Sequence, residues 1–377
     1  MGGTEKSFLN LVESLPENYQ IDLLLLREGG KLLDAVPPRV TIMPYFKNSL
    51  FYKTLQETPL NRLKKLYKKK LYRRCFVGAF NYLKYKLTDN GEFLFKILDE
   101  LPVIDKKYDV AVAFAGPHNF ISYYIGQKIY ANKKIQWIHF DVLDIPFDIQ
   151  SSKKLYEHFD EIKVVSNIAK INFLKVLPQF SDRTTVFHNI LNKDRVIFLS
   201  ENNTAGFDDG FSGTRILTVG RVNNQKGYDF AIPAIKLLVE SGYNIRYYII
   251  GEGGRKDELQ MHVINLQLEN VVFFLGSKSN PYVYMKQTDI YLQPSRHEGQ
   301  GMTVEEAKLF NKPIILTNYS VASESVVDGE TGLIVEKNSN AIFTGIKLLL
   351  DDVSLRQRFA NNLKRMNLEK ENETVPF

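Results

Sequence analysis

From residue 214 onward, short apolar, β-branched runs alternate with amphipathic stretches. Arg215–Gly220 (RILTVG), Ile245–Gly251 (IRYYIIG), Val271–Leu275 (VVFFL), Asp289–Gln293 (DIYLQ), Pro313–Thr317 (PIILT) and Gly332–Val335 have strand length and composition. Between and after them, Tyr228–Ser241, Lys256–Leu266, Tyr282–Gln287, Thr303–Phe310, Ala322–Val327 and Ala341–Leu350 read as helices. This order predicts a parallel sheet with crossover helices. Pro233 falls inside the first of these helices and is expected to kink it or delay its start.

The first half alternates less regularly. Strands are expected at Gln20–Leu26, Val40–Met43, Asp109–Phe114, Ile135–Ile138, Glu161–Val165 and Thr184–Phe187, with helices near Glu5–Ser14, Asn119–Ala131 and Ile168–Val176. Residues 46–96 form a basic, aromatic-rich insertion of different character. The polar, Gly-containing stretch 200–213 marks a boundary. The expected division is residues 1–199, a linker at 200–213, and residues 214–377.

A chain of 377 residues suits two domains. A single cysteine excludes an internal disulfide framework and a cysteine-based structural zinc site. The start of the chain lacks the charged, apolar and small-residue segments of a secretory signal, which gives an expectation of a cytoplasmic protein. The net charge of +6 favours phosphate-bearing partners, among them nucleotides, nucleic acid and anionic lipid.

Two loops sharpen that choice. Gly220-Arg221-Val222-Asn223-Asn224-Gln225-Lys226-Gly227 follows a strand and opens a helix. In a doubly wound sheet ligands bind beyond the carboxyl ends of the strands, so Arg221 and Lys226 would both stand at the ligand edge, suited to a diphosphate. Taken alone, the loop reads as readily as two solvated cations after a turn. The second loop is Glu298-Gly299-Gln300-Gly301-Met302-Thr303-Val304-Glu305-Glu306. Its glycines allow backbone N–H groups close to a ligand, and the helix start favours anions. Glu298 would reach sugar hydroxyls from the loop, and Glu306, eight residues on, would accept hydrogen bonds from a ribose diol. Gly251-Glu252-Gly253-Gly254 is a weaker, third Gly-rich turn at the same edge.

These residues resemble the retaining glycosyltransferases of family 4, nucleotide-sugar-dependent enzymes of two-Rossmann, B-type architecture. The resemblance lies in the Gly-Arg-x5-Gly of 220–227, the Glu-x7-Glu of Glu298 and Glu306, Glu324, and Asp328-Gly329-Glu330-Thr331-Gly332-Leu333-Ile334-Val335. It is strong over 214–352 and weak before. It implies an α/β fold of two Rossmann-like doubly wound domains facing a cleft. By resemblance, Arg221 and Lys226 hold the donor diphosphate. Glu298 contacts the transferred sugar, with Gly299, Gln300 and Gly301 presenting backbone groups to it. The amides of Met302 and Thr303 face the phosphates, Glu306 binds the ribose, and the base lies near Leu275, Gly276 and Ser277, with Gly220 in the diphosphate loop. No cofactor and no metal are implied, and the chain has no Asp-x-Asp.

In the first half, Gly2-Gly3-Thr4-Glu5 looks like the family's Gly-Gly-x-Glu loop, which makes Gly3 a donor-binding candidate. His139, ending the run Gln136-Trp137-Ile138, stands where the family keeps an active-site histidine; the plainer alternative is a buried, hydrogen-bonded one. His118, His188 and His297 are weaker candidates. In the family a strand precedes the Gly-Gly loop, so the N-terminal domain is expected to lack its first strand.

Residues 62–86 contain ten Lys or Arg, interleaved with Leu63, Leu66, Tyr67 and Leu71 at helical spacing. Such a segment fits peripheral contact with an anionic membrane at the inner face of the cell, and a lipid-linked sugar acceptor. A solvated helix face is the alternative. No nucleic-acid partner is expected, because no recognised binding motif accompanies the charge. The sequence therefore predicts a retaining hexosyl-type glycosyltransferase acting from a UDP-sugar on a glycan acceptor in surface polysaccharide or capsule synthesis. A nucleotide-sugar epimerase of similar architecture and a non-catalytic partner subunit are the rivals.

Overall fold

The computed structural model describes residues 3–25, 33–43, 67–68, 70, 72–73, 76, 103–117, 119–201 and 206–369. The chain forms two compact units. The C-terminal unit takes in residues from 188 onward, together with 165–169 and the N-terminal helix; the N-terminal unit holds 15–164 and 170–187. By sequence the boundary was placed at 200–213, whereas here segments ahead of residue 200 pack with the C-terminal sheet.

In the C-terminal unit six parallel strands run β7 (Thr214–Val219), β8 (Ile245–Ile250), β9 (Val272–Gly276), β10 (Ile290–Gln293), β11 (Ile314–Thr317) and β12 (Gly332–Val335). Their order is β12-β11-β10-β7-β8-β9. The chain moves outward from β7 to β9 and then returns to the other side of β7, which makes β7 and β10 the topological switch point. Strand side chains alternate between the faces. Ile216, Ile249, Ile290, Leu292 and Ile315 enter one core, and Leu217, Val219, Tyr248, Tyr291 and Leu316 the other. Both faces are thus covered, as a parallel sheet requires.

The helices α6 (Tyr228–Glu240) and α11 (Ser339–Asp351) cover the first face. Pro233 does not delay α6, which begins at Tyr228. A proline inside a helix, through its lost i→i−4 hydrogen bond and its ring clash, costs about 3 kcal/mol. It is outweighed by Tyr228, Ala231, Ile232, Ala234, Ile235 and Leu238, all fully buried.

The N-terminal unit holds two parallel sheets. One pairs β1 (Ile21–Leu24) with β2 (Val40–Met43). The other is β3 (Ile104–Gly116), β4 (Ile129–Ile138), β5 (Glu161–Val164) and β6 (Thr184–Val186), in that order. The helix expected at Asn119–Ala131 ends at Lys128, because Ile129–Ala131 already belong to β4, where Tyr130 and Ala131 pair with Lys107 and Tyr108. Three helices were not anticipated: α3 (Ile149–Tyr156), α5 (Lys193–Glu201) and α12 (Val353–Glu369), the last of which buries Leu355, Phe359 and Leu363 at helical spacing. Most of the basic insertion, including the helix expected there, lies outside the described residues, as do Gly2 and His118. No described helix is long and apolar enough to cross a membrane.

Candidate functional site

The site is built at the switch point. Strand β7 ends at Val219, and the following loop closes a single tight turn at Asn224–Lys226, where the Asn223 side chain accepts from the Lys226 N–H at 3.3 Å. Gly227 follows at φ +63°, in the left-handed region. A Cβ there would fall on the Pro294 carbonyl oxygen, so only glycine lets this loop lie against the chain leaving β10. Tyr228 OH donates back to the Gly220 carbonyl at 3.0 Å and fixes the loop's two ends together.

Lys226 is aimed by this turn across the switch point. Its Nζ lies 2.6 Å from Glu298 Oε1, with both side chains largely buried. The same carboxylate oxygen accepts from Gln293 Nε2 at 2.9 Å and from Ser295 Oγ at 2.6 Å. Three donors on one buried oxygen fix the carboxylate tightly. Arg221, by contrast, is exposed, and its side chain makes no hydrogen bond or ion pair among the described residues. It is a cation held at the ligand edge without an internal partner.

The two loops are also clasped from behind. The Arg296 N–H donates to the Gln225 carbonyl at 2.7 Å, and Gln225 Nε2 donates to the His297 carbonyl at 3.0 Å. Arg296 makes a two-point pair with Asp229 at 2.9 and 2.5 Å and stacks over Phe230 at 4.1 Å. That guanidinium holds the Asp229 carboxyl below its ordinary value. The third Gly-rich turn serves the same end. Val222 N–H donates to the Glu252 carbonyl at 3.0 Å and Arg255 N–H to the Val222 carbonyl at 3.2 Å, so residues 251–255 brace the Arg221 loop.

The second glutamate sits deeper. Gly301, at φ +75°, turns the chain into α9 (Met302–Lys308), which places Glu306 on the helix at 1% exposure. Its Oε1 accepts from Tyr282 OH at 3.1 Å, and from Lys6 Nζ at 2.8 Å. Burial and the nearby Glu306 charge push the Tyr282 hydroxyl well up, so it stays a donor. Gln300 accepts the Asn189 N–H at 2.6 Å, and Thr303 reaches Gln293 at 3.5 Å. Met302 and Gly299 are buried, and Leu275, Gly276 and Ser277 close the carboxyl end of edge strand β9.

Gly220, Arg221, Lys226, Leu275–Ser277, Glu298–Thr303 and Glu306 therefore all belong to one unit, at the carboxyl ends of its strands and on the loops and the helix α9 that follow them. Gly3 also belongs to that unit, as the first residue of helix α1 (Gly3–Ser14) rather than of a loop. His139 belongs to the other unit. It follows β4, is 5% exposed, stacks on Trp137 with rings 5° from parallel, and packs 4.6 Å from Phe114. His188 Nδ1 lies 3.1 Å from the Val165 carbonyl. Sequence reasoning passed over Gln293, Ser295, Tyr282, Arg296 and the side chain of Lys6. Gln293 carried a signal, a polar residue closing an apolar strand. The others meet their partners only through the tertiary fold.

Comparison with known proteins gives the family match and the fold likeness of this chain. The glycosyl transferases group 1 family matches residues 212–366. The chain is 30% identical over 208 residues to the capsular polysaccharide biosynthesis glycosyltransferase CapM of Staphylococcus aureus, covering 53% of this chain and 52% of CapM. It is 35% identical over 151 residues to the N-acetylgalactosamine-N,N'-diacetylbacillosaminyl-diphospho-undecaprenol 4-alpha-N-acetylgalactosaminyltransferase of Campylobacter jejuni, covering 40% of each. The matched region thus spans about half or less of these relatives. Across the whole chain the fold is similar to that of Anabaena HepE, solved in complex with UDP and glucose, with TM-score 0.68, 16% identity, and coverage of 98% of this chain and 92% of HepE. Residues 212–366 thus match the glycosyl transferases group 1 family, and the chain as a whole has a two-domain α/β fold similar to that of B-type glycosyltransferases such as HepE.

Proposed function

We propose that this chain is a retaining glycosyltransferase that moves a sugar from a UDP-sugar to a lipid-linked glycan acceptor in surface polysaccharide synthesis. The observation that carries the reading is the Lys226–Glu298 pair across the switch point, with the exposed Arg221 beside it. Breaking the anomeric C–O bond builds positive charge on the sugar and negative charge on the departing diphosphate. Arg221 and Lys226 are placed to take that negative charge, a role assigned here to protein cations rather than to a metal. In the structure Lys226 is neutralised by Glu298. A diphosphate arriving at the loop would draw Lys226 towards it and leave the Glu298 carboxylate for the sugar hydroxyls. The amides of Met302 and Thr303 would face the phosphates and Glu306 the ribose diol, with the base at Leu275–Ser277. Retention would follow from front-face transfer, in which the leaving phosphate oxygen accepts the acceptor's proton, with His139 contributing from the N-terminal unit.

Three features support the finer statements. HepE binds UDP and glucose, CapM is named for capsular polysaccharide, and the Campylobacter enzyme is named for a diphospho-undecaprenol acceptor. Tyr67, Tyr72 and Phe76 are exposed alongside Lys68, Lys70 and Arg73, which suits contact with an anionic leaflet at the cytoplasmic face. The test is a panel of UDP-sugars with undecaprenyl-diphosphate-linked acceptors, following UDP release and the anomeric configuration of the product by NMR. An α-linked product from an α-linked donor is expected. Inversion sinks the retaining mechanism, and donor turnover without any acceptor marks an epimerase. Sedimentation with liposomes should require anionic lipid; equal pelleting with neutral vesicles overturns the membrane assignment.

A further inference from the structure

Helix α1 docks on the C-terminal unit by one polar stripe. Lys6, Asn10 and Glu13 recur at i, i+4 and i+7, with Ser7 beside them, so they share a helix face. Each has a partner in that unit. Lys6 Nζ pairs with Glu306 at 2.8 Å, Ser7 Oγ donates to Asn189 Oδ1, Asn10 Nδ2 donates to the Ile190 carbonyl at 2.9 Å, and Glu13 accepts from Arg195. Asn189 in turn donates its N–H to Gln300 of the glycine loop. The stripe therefore ties α1 to both ends of the loop-and-helix segment that carries the two glutamates.

The Lys6 contact has an asymmetry. Lys6 Nζ and Tyr282 OH both use Glu306 Oε1, and Lys6 lies over the Tyr282 ring at 5.3 Å. Glu306 Oε2 is buried from solvent and has no hydrogen-bond partner among the described residues. A buried carboxylate oxygen without a donor is unfavourable. A vicinal diol supplies two hydroxyl donors in a geometry that matches the two oxygens of a carboxylate. The diol cannot take both oxygens while the ammonium and the phenol occupy one and the surrounding chain seals the other.

We infer that Lys6 is the resting counter-ion of Glu306, and that it must leave the carboxylate for the nucleotide ribose to bind. Lys6 is thus a positioning residue that sets nucleotide affinity and links the seating of α1 to occupancy of the site. The inference rests on reading Glu306 as the ribose carboxylate. Because the paired and ribose-bound arrangements exclude each other, the apparent Kd is the intrinsic value divided by the fraction of molecules in which Lys6 is displaced.

Isothermal titration with UDP, run on the full chain at fixed ionic strength with melting curves alongside, tests this. If about nine-tenths of molecules hold the pair, Lys6→Met should bind UDP about tenfold tighter than wild type. Lys6→Arg, which retains the cation, should stay near wild type, and Glu306→Gln should bind much more weakly. The gain in Lys6→Met should shrink with 2′-deoxy-UDP, which presents one hydroxyl fewer. Unchanged or weaker UDP binding by Lys6→Met, with Glu306→Gln still impaired, overturns the counter-ion role alone. Wild-type UDP binding by Glu306→Gln overturns the ribose reading beneath it. Should Lys6→Met melt at a lower temperature, the wild-type protein supplies the answer. Acylation of the Lys6 amine, followed by mass spectrometry, should increase when UDP saturates the site, and protection that does not change with UDP overturns the inference.

Discussion

Strands β10 and β1 look alike as sequence, DIYLQ against QIDLLLL, and both pair in parallel. Their surroundings differ. Every residue of β10 is buried between β7 and β11, with side chains in both cores, whereas no residue of β1 is fully buried and, among the described residues, its ladder is made with β2 alone. Asp22, in the middle of β1, is held through its side chain instead, by Lys106 Nζ at 2.6 Å and Tyr108 OH at 2.8 Å, both on β3. Among the described residues, an apolar strand with neighbours on both sides is fully buried, and one with a single neighbour is only half-buried. A two-stranded sheet is marginal on its own. Function follows the difference, since the paired cation and carboxylate stand on the loops leaving β7 and β10.

The largest expected contrast is in hydrogen exchange. Amides of β7 and β10 should be protected about a thousandfold more than those of β1, roughly 4 kcal/mol of opening free energy. Equal protection measured by mass spectrometry would erase the comparison. Next in size is Lys226→Ala, which should lower kcat at least about a hundredfold, the scale for removing one preorganised donor to developing charge. Circular dichroism should show the fold retained, and wild-type turnover would remove Lys226 from the mechanism. Tyr228→Phe deletes the hydroxyl that joins the ends of the 220–227 loop and should cost about 1 kcal/mol in urea denaturation. No change in the midpoint would mean that the loop is held by its other contacts.

The smallest effect is one of pH and lies on the other unit. The Lys106 hydrogen bond holds the Asp22 carboxyl below its ordinary value of 3.8. The pair therefore stabilises β1 in full above that ordinary value, and the contribution fades as pH falls through the lowered folded value. Asp22→Asn should flatten the acid limb of stability measured between about pH 5 and 2. An acid limb identical to wild type would show that the side-chain tether does not hold β1.

Much of the C-terminal unit was legible because apolar periodicity and loop chemistry agree there. Strands such as Gly332–Val335 and the helix Tyr282–Gln287 were read to the residue, and Arg221, Lys226, Glu298 and Glu306 were singled out on their loops. What was not legible has a physical cause in each case. The Lys6–Glu306 pair joins residues 300 positions apart, and no local pattern encodes it. Ile129-Tyr130-Ala131 suit helix and strand alike until the pairing with β3 decides. Helix α5 carries its apolar residues in one run, Val196-Ile197-Phe198-Leu199, and not at helical spacing, and its hold on the unit comes from Val196 and from contacts with α8 (Tyr282–Gln287). Pro233 misled because local propensity is a weak prior against a fully buried helix face.

Gly227 extends the site's vulnerability beyond its chemistry. Every amino-acid change reachable by one base substitution in a glycine codon adds a β-carbon, and here that carbon would fall on the Pro294 carbonyl at a backbone angle side chains rarely adopt. A random-mutagenesis selection for loss of activity should therefore collect alleles at position 227 as densely as at its neighbour Lys226. The glycine would score as essential in genetics while contributing no atom to the reaction, because its role is to leave room for two loops to meet.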